Sequence, residues 1–187
     1  MSRLGAYKNL TLKDRIEMEL KLELIIRPAT AADIGGVADV FLRARKELMP
    51  FAPLAHSDFA VCQWIADWLI PTGDVAVATE TRGLIVGIAA ISTVDGVLWL
   101  DQLYVMPSRV GQGVGTRLLA EVIANARLPV YLHCFVENKR ARAFYERHGF
   151  VAIAFGDGSD NDEGCPDVVY ALQPDETQPA NGMGLSG

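Results

Sequence analysis

The chain has 187 residues, 50% of them hydrophobic, three cysteines and a formal net charge of -6 at pH 7. Its length suits one domain with a closed core, its charge repels a nucleic-acid backbone and favours a cationic or neutral partner, and it contains no run of about 18 apolar residues that would span a membrane. Cys62, Cys134 and Cys165 are an odd set without metal-ligand spacing, which predicts free thiols, no metal and a cytoplasmic protein.

Residues 1–20 are dense in charge (Lys13, Asp14, Arg15, Glu17, Glu19) and read as an extension, in which Met18 offers an alternative start. The domain itself is expected over residues 21–173. Leu22 to Arg27 reads as a first strand stopped by Pro28; Thr30 then caps a helix, with Asp33 at its third position, that runs to about Leu48. After Pro50 and Pro53, the spacing of Phe59, Cys62, Ile65, Trp68 and Leu69 predicts a second, amphipathic helix. Three strands follow, Asp74 to Glu80, Leu84 to Val94 and Val97 to Val105, with turns at Thr81-Arg82-Gly83 and Asp95-Gly96. A helix is expected from Val114 to Ala126, a fifth strand from Pro129 to Phe135, and a helix from Asn138 to His148 closed by Gly149 as a left-handed cap. Phe150 to Phe155 and Asp167 to Leu172 read as strands on either side of a polar loop. Residues 174–187 are rich in Gly, Pro and polar residues, and disorder is expected there.

The stretch RVGQGVGTRLL, residues 109–119, places Gly111, Gly113 and Gly115 at alternate positions just before a helix-forming run. Glycine in a helix costs about 1 kcal/mol relative to alanine, so three together argue for a close backbone approach to a partner. A Walker loop is excluded because no lysine follows, and neither glycine register fits G-x-G-x-x-G. What remains is a strand ending at Val105, a turn through Pro107 and a glycine-lined helix N-terminus whose free amides and dipole suit a pyrophosphate. A turn that serves helix packing alone is the competing reading.

LDQLYVMPSRVGQGVGTRLL and NKRARAFYERHGF resemble two consecutive motifs of the GNAT superfamily of N-acetyltransferases. The second, N-x-x-A-x-x-F-Y-E-x-x-G-F, is matched at Asn138, Ala141, Phe144, Tyr145, Glu146, Gly149 and Phe150, and the resemblance covers residues 22 to 172. One departure is Val110, where the family usually has Gln or Arg; backbone amides carry much of such a contact, so binding is expected to survive, with any compensation by Arg109 left open.

The resemblance implies an α/β fold with α+β-type layering: a central mixed, mostly antiparallel sheet flanked by helices, with strands four and five splayed. It implies acetyl-CoA as cosubstrate, no metal, and direct transfer of the acetyl group in a ternary complex to a primary amine of a small molecule, amino-acid derivative or peptide. The competing class is a catalytically silent acyl-CoA-binding or regulatory domain. The partner is then an amine, with no nucleic acid and no membrane, and a homodimer is left open.

By the same resemblance, Leu103, Tyr104 and Val105 border pantetheine, and the Val105 amide polarises the thioester. Val110, Gly111, Gln112, Gly113, Val114, Gly115 and Thr116 surround the pyrophosphate, Asn138 and Phe144 add cofactor contacts, and the Tyr145 hydroxyl protonates the leaving thiolate. Asn138 is also a helix N-cap in its own right. The period of two puts Trp99, Asp101, Leu103 and Val105 on one strand face, which in relatives looks at the transfer site, so Asp101 is the candidate base, acting through water, with Glu137 and His133 in reserve. His133 and Cys134 are adjacent and face opposite ways, which argues against a Cys/His dyad. On the acceptor side stand His56, next to the capping candidates Ser57 and Asp58, and Asp157 and Glu163 in the acidic loop FGDGSDNDEG. That loop fails as a calcium site, because Asp162 stands where the turn glycine belongs and Val168 where the glutamate belongs; it is either a solvated turn or a rim for a cationic amine.

Overall fold

The computed structural model describes Thr11, residues 24–126 and residues 129–173. Apart from Thr11, the expected N-terminal extension with Met18 lies outside the described residues, as does the expected tail.

Among the described residues seven strands form one sheet: β1 (Ile25–Pro28), β2 (Asp74–Thr79), β3 (Ile85–Val94), β4 (Val97–Val105), β5 (Val130–Phe135), β6 (Val151–Gly156) and β7 (Asp167–Leu172), in the order β1-β2-β3-β4-β5-β7-β6. Every neighbouring pair is antiparallel except β4 with β5. Its flanking helices include α1 (Ile34–Leu48), α2 (Asp58–Trp64), α3 (Val114–Asn125) and α4 (Lys139–Arg147). The core joins Val37 and Val40 of α1 to Val77, Ile88, Leu132 and Tyr170 of the sheet and Leu118 of α3. Space is tight there: a Cβ at Gly87 would meet Val114 Cγ1 at 2.7 Å. Among the described residues no helix is long and apolar enough to cross a membrane.

Local chemistry explains where the elements depart from the sequence expectation. β1 ends at Pro28, one residue later than expected, with the proline paired to Ala76 as its last member, which an edge strand tolerates because one side needs no N–H. Thr30 begins a single 3-10 turn, Ala31–Asp33, and α1 proper starts at Ile34. The Asp33 carboxylate holds that turn by accepting from the Thr30 N–H (2.8 Å) and hydroxyl (2.9 Å) and from both Arg27 terminal nitrogens (2.7 Å each). The Arg27 guanidinium keeps its pKa well below the usual carboxylate range. Ser57 caps α2 by accepting from Ala60 N at 3.2 Å, and the expected single helix widens into a π turn over Ile65–Leu69 before Ile70–Thr72.

Two irregularities in the sheet shape its centre. Asp95 and Gly96 both take positive φ, 51° and 75°, closing the β3–β4 hairpin as an Asp-Gly pair should. In that hairpin Ile91 faces Leu100 and Ala90 faces Gln102, so Asp101 is an extra, bulged residue. The period of two therefore does not run unbroken from Trp99 to Val105. Beside it, β4 and β5 pair only at Leu98↔Val130 and Trp99↔Tyr131. Beyond Trp99 the strands part, as the splayed fourth and fifth strands of the expected fold do.

Candidate functional site

A cavity of about 970 Å³ runs from the loop before α3, through the β4–β5 fork, to the loop between β6 and β7. Its first end is made by backbone. Gly111 and Gly113 adopt φ of 81° and 84°, a left-handed conformation that only glycine takes at little cost. The first bond into α3 runs from Arg117 N to Gly113 O at 3.0 Å, so the first-turn amides of Val114, Gly115 and Thr116 have no backbone acceptor among the described residues. Four positions expected here by sequence line the cavity together with Thr116: Val110, Gly111, Gly113 and Gly115. The side chains of the other two point away: Gln112 Nε2 donates to Ser108 O at 2.9 Å, and Val114 is buried beneath Gly87. Val114 can serve an anion through its amide, whereas the Gln112 amide donates to Arg109 O at 3.3 Å.

Charge reaches this end from a residue that sequence reading missed. Arg109 also lines the cavity, but its Nε is drawn to Glu80. Arg140 does approach the loop: its Nη2 lies 4.0 Å from where a Cβ on Gly111 would stand, and it lines the same cavity. The signal was its place at the start of a helix whose cap, Asn138, accepts from Ala141 N at 3.1 Å. Unpaired amides, a left-handed glycine cradle and one arginine form a donor set that fits a diphosphate.

Apolar walls lead inward from there, formed by Leu103, Val105 and Phe144. Tyr145 lies at the fork, buried against Phe144, Phe150 and Tyr170, and its hydroxyl has no hydrogen-bond partner among the described residues. Burial holds that phenol far above its ordinary pKa, so it stays protonated at neutral pH. Cys134 also lines the cavity, but burial pushes its thiol up to about 12. It is un-ionised at neutral pH and no nucleophile.

The second end is made by side chains from distant segments. Asp101 projects from the bulge into the cavity, and burial raises its pKa above the usual carboxylate range against the opposing pulls of the Ser92 hydroxyl and His133. His133 stands across the fork on β5, with its ring stacked on Trp99 at 5.2 Å. Arg45 of α1, 5% exposed, lies over the Phe135 ring and donates to Glu163 and, at 3.3 Å, to Ala52 O. Glu163 is thus tied down as the partner of a buried arginine and is not part of a solvated rim.

The other expected acceptor residues lie elsewhere. His56 Nε2 sits 3.3 Å from Asp162 Oδ2 on the surface, and Asp157 accepts from Ser159 N at 2.9 Å in a local turn; neither lines the cavity. The acidic loop is stapled by Asn161, whose side chain donates to Cys165 O at 2.8 Å and accepts from Cys165 N at 3.2 Å. Glu137 also lies outside the cavity. Among the described residues no cluster of His, Cys, Asp and Glu converges as a metal site.

The sequence pattern of the acetyltransferase (GNAT) family matches residues 41–150. A comparison with curated proteins gives no match. Among solved structures the chain is similar to apo YjaB from Escherichia coli, at 20% identity and a TM-score of 0.65 over 79% of this chain and 96% of that one. It is also similar to PaiA N-acetyltransferase from Thermoplasma acidophilum in complex with coenzyme A, at 17% identity and 0.63 over 80% and 98%. A third likeness is to yncA from Salmonella typhimurium with acetyl-CoA, at 20% identity and 0.64 over 84% and 98%. At these identities the structures establish the fold.

Proposed function

This chain belongs to the acetyltransferase (GNAT) family, and from that premise we propose that it carries an acetyl group from acetyl-CoA to a primary amine by direct attack in a ternary complex. One observation carries the reading: a single cavity joins the unpaired amides of α3 to the parted strands and then to a face bearing Asp101.

The amides from Gly113 to Thr116 and the Arg140 guanidinium would hold the diphosphate, and Leu103, Val105 and Phe144 would flank the pantetheine arm. Bound there, acetyl-CoA supplies an activated thioester. Past Trp99 the edge of β4 facing β5 has no strand partner, so amides near Val105 are available to a carbonyl oxygen; removing one such donor from an enzyme costs about 3 kcal/mol. Tyr145 would return a proton to the sulfur, its hydroxyl lining the cavity without a partner among the described residues.

The acceptor reaches the fork from the Asp101 side. An alkylamine is protonated at pH 7, and freeing its lone pair costs about 4 to 5 kcal/mol. Asp101 attracts the ammonium by charge and, in the simplest form of this reading, takes its proton through water. Mixing the protein with acetyl-CoA and a panel of primary amines while following free thiol tests the proposal. Amine-dependent thiol release with a matching acetylated product is expected. Tight CoA binding with no release across the panel would overturn it in favour of a silent acyl-CoA-binding domain.

A further inference from the structure

His133 occupies β5 two residues beyond Tyr131, the last residue that β5 pairs with β4, so its side chain stands where the strands have just parted. It is fixed on two sides. Its Nδ1 lies 2.8 Å from Asp167 Oδ2, and its ring is stacked nearly parallel on the Trp99 indole, 15° between planes. Asp167 is held in turn. It opens β7 opposite Gly156 of β6, where any Cβ would collide with the Asp167 carboxylate, so the glycine keeps open the space the acid occupies. The Asp167 side chain is 15% exposed and that of His133 57%, and both line the cavity. An ionised Asp167 accepts only, so it selects the tautomer with the proton on Nδ1 and leaves the Nε2 lone pair free. The charged groups facing this ring are Asp167 from β7 and Asp101 from β4.

We infer that His133 is the catalytic base of the transfer and that Asp167 is its positioning residue. The inference rests on the acetyl-transfer reading and moves the proton from Asp101 to His133, leaving Asp101 to hold the ammonium. An ordinary imidazole falls about four powers of ten short of an alkylamine as a proton acceptor and an ordinary carboxylate about six, a gap that burial of Asp101 narrows; the Asp167 contact and the Trp99 stack, which fix the His133 ring, decide for the imidazole. Cys134 lines the cavity but is an un-ionised thiol, and Glu137 lies outside the cavity, so neither competes.

The step balances. One ammonium N–H bond breaks and its proton passes to Nε2, giving an imidazolium whose charge Asp167 offsets. The freed lone pair forms the N–C bond to the acetyl carbonyl as the C–S bond breaks, and the sulfur takes the Tyr145 proton. The second proton lost from nitrogen restores the Tyr145 phenol, and His133 returns its own to solvent, to which the ring is open.

The test uses the full chain with acetyl-CoA and the primary amine of the panel that releases thiol fastest. His133→Gln is expected to lower kcat about a hundredfold, to leave KM for acetyl-CoA unchanged and to erase the acid limb of the kcat/KM pH profile. Asp167→Asn is expected to cost at least about tenfold, since its amide can donate to Nδ1 and so favour the tautomer without a free Nε2 lone pair. Gly156→Ala, which removes no polar group, is expected to lower kcat by displacing Asp167. Nitrogen NMR of the three histidines is expected to show His133 as the Nδ1–H form in the wild type and a tautomer mixture in Asp167→Asn. A His133→Gln enzyme with wild-type rate and an intact acid limb would overturn the assignment, as would an Asp101→Asn enzyme that loses the limb instead. Failure of every amine defeats the acetyl-transfer reading; separately, an Nε2–H His133 in the wild type overturns the dyad.

Discussion

The two ends of the cavity are built differently. The cofactor end rests on backbone from one short stretch, Val105 to Thr116, with helix α4 laid against it; the acceptor end gathers side chains from α1, β4, β5, β7 and the β6–β7 loop. Arg45 and Glu163, which meet there, are 118 positions apart in the chain. A binding surface of amides is expected to tolerate change in side chains, such as Val110, but not in conformation. A surface of paired side chains has the opposite sensitivity, because each buried charge depends on one distant partner.

The largest effect expected from breaking that contrast is at the acceptor end. Glu163→Gln leaves Arg45 buried beside a neutral partner, and urea unfolding should show a loss of about 3 kcal/mol. Calorimetric affinity for acetyl-CoA should be unchanged in the folded fraction; an equal loss there would mean that the two ends are one unit. Tyr145→Phe, at the boundary, should lower kcat about a hundredfold, or 2.7 kcal/mol, while CoA binds as before. Unchanged turnover would remove the phenol from the chemistry.

Gly113→Ala sharpens the comparison from the other side. A Cβ meets nothing within 4 Å, so its penalty comes from φ of 84° alone. We expect acetyl-CoA to bind about tenfold more weakly, near 1.4 kcal/mol, with the KM of the amine unaffected. The smallest effect belongs to a pair outside the cavity. Because Asp33 has its pKa lowered by Arg27 and the Thr30 hydrogen bonds, its stabilising contribution is full above the ordinary carboxylate pKa of about 3.9 and is lost as pH falls below it. Acid unfolding of Asp33→Asn should show less of that pH dependence, by about 1 kcal/mol, with CoA binding at pH 7 intact.

The same contrast marks what could be read in advance. Signals that lie within a few residues were legible: the Asp95-Gly96 turn, the glycine-lined mouth of α3, the Asn138 cap, and the order of strands and helices. Pro28 did mark the end of β1, but that the proline itself joins the ladder depends on the strand being an edge, which is a property of the sheet. The bulge at Asp101 was invisible because register depends on the partner strand. At the site, positions tied to a contiguous motif mostly line the cavity, whereas His56 and Asp157 do not and Glu163 is paired with Arg45. Arg140 and the His133–Asp167 contact depend on which segments the fold brings together, and no local pattern announces that.

The most direct test of the account is a crystal structure of the protein grown with coenzyme A. The diphosphate is predicted on the amides from Gly113 to Thr116, within reach of Arg140, with the sulfur at the β4–β5 fork near Tyr145. Coenzyme A bound elsewhere, with the mouth of α3 empty or closed by the protein's own chain, would contradict it.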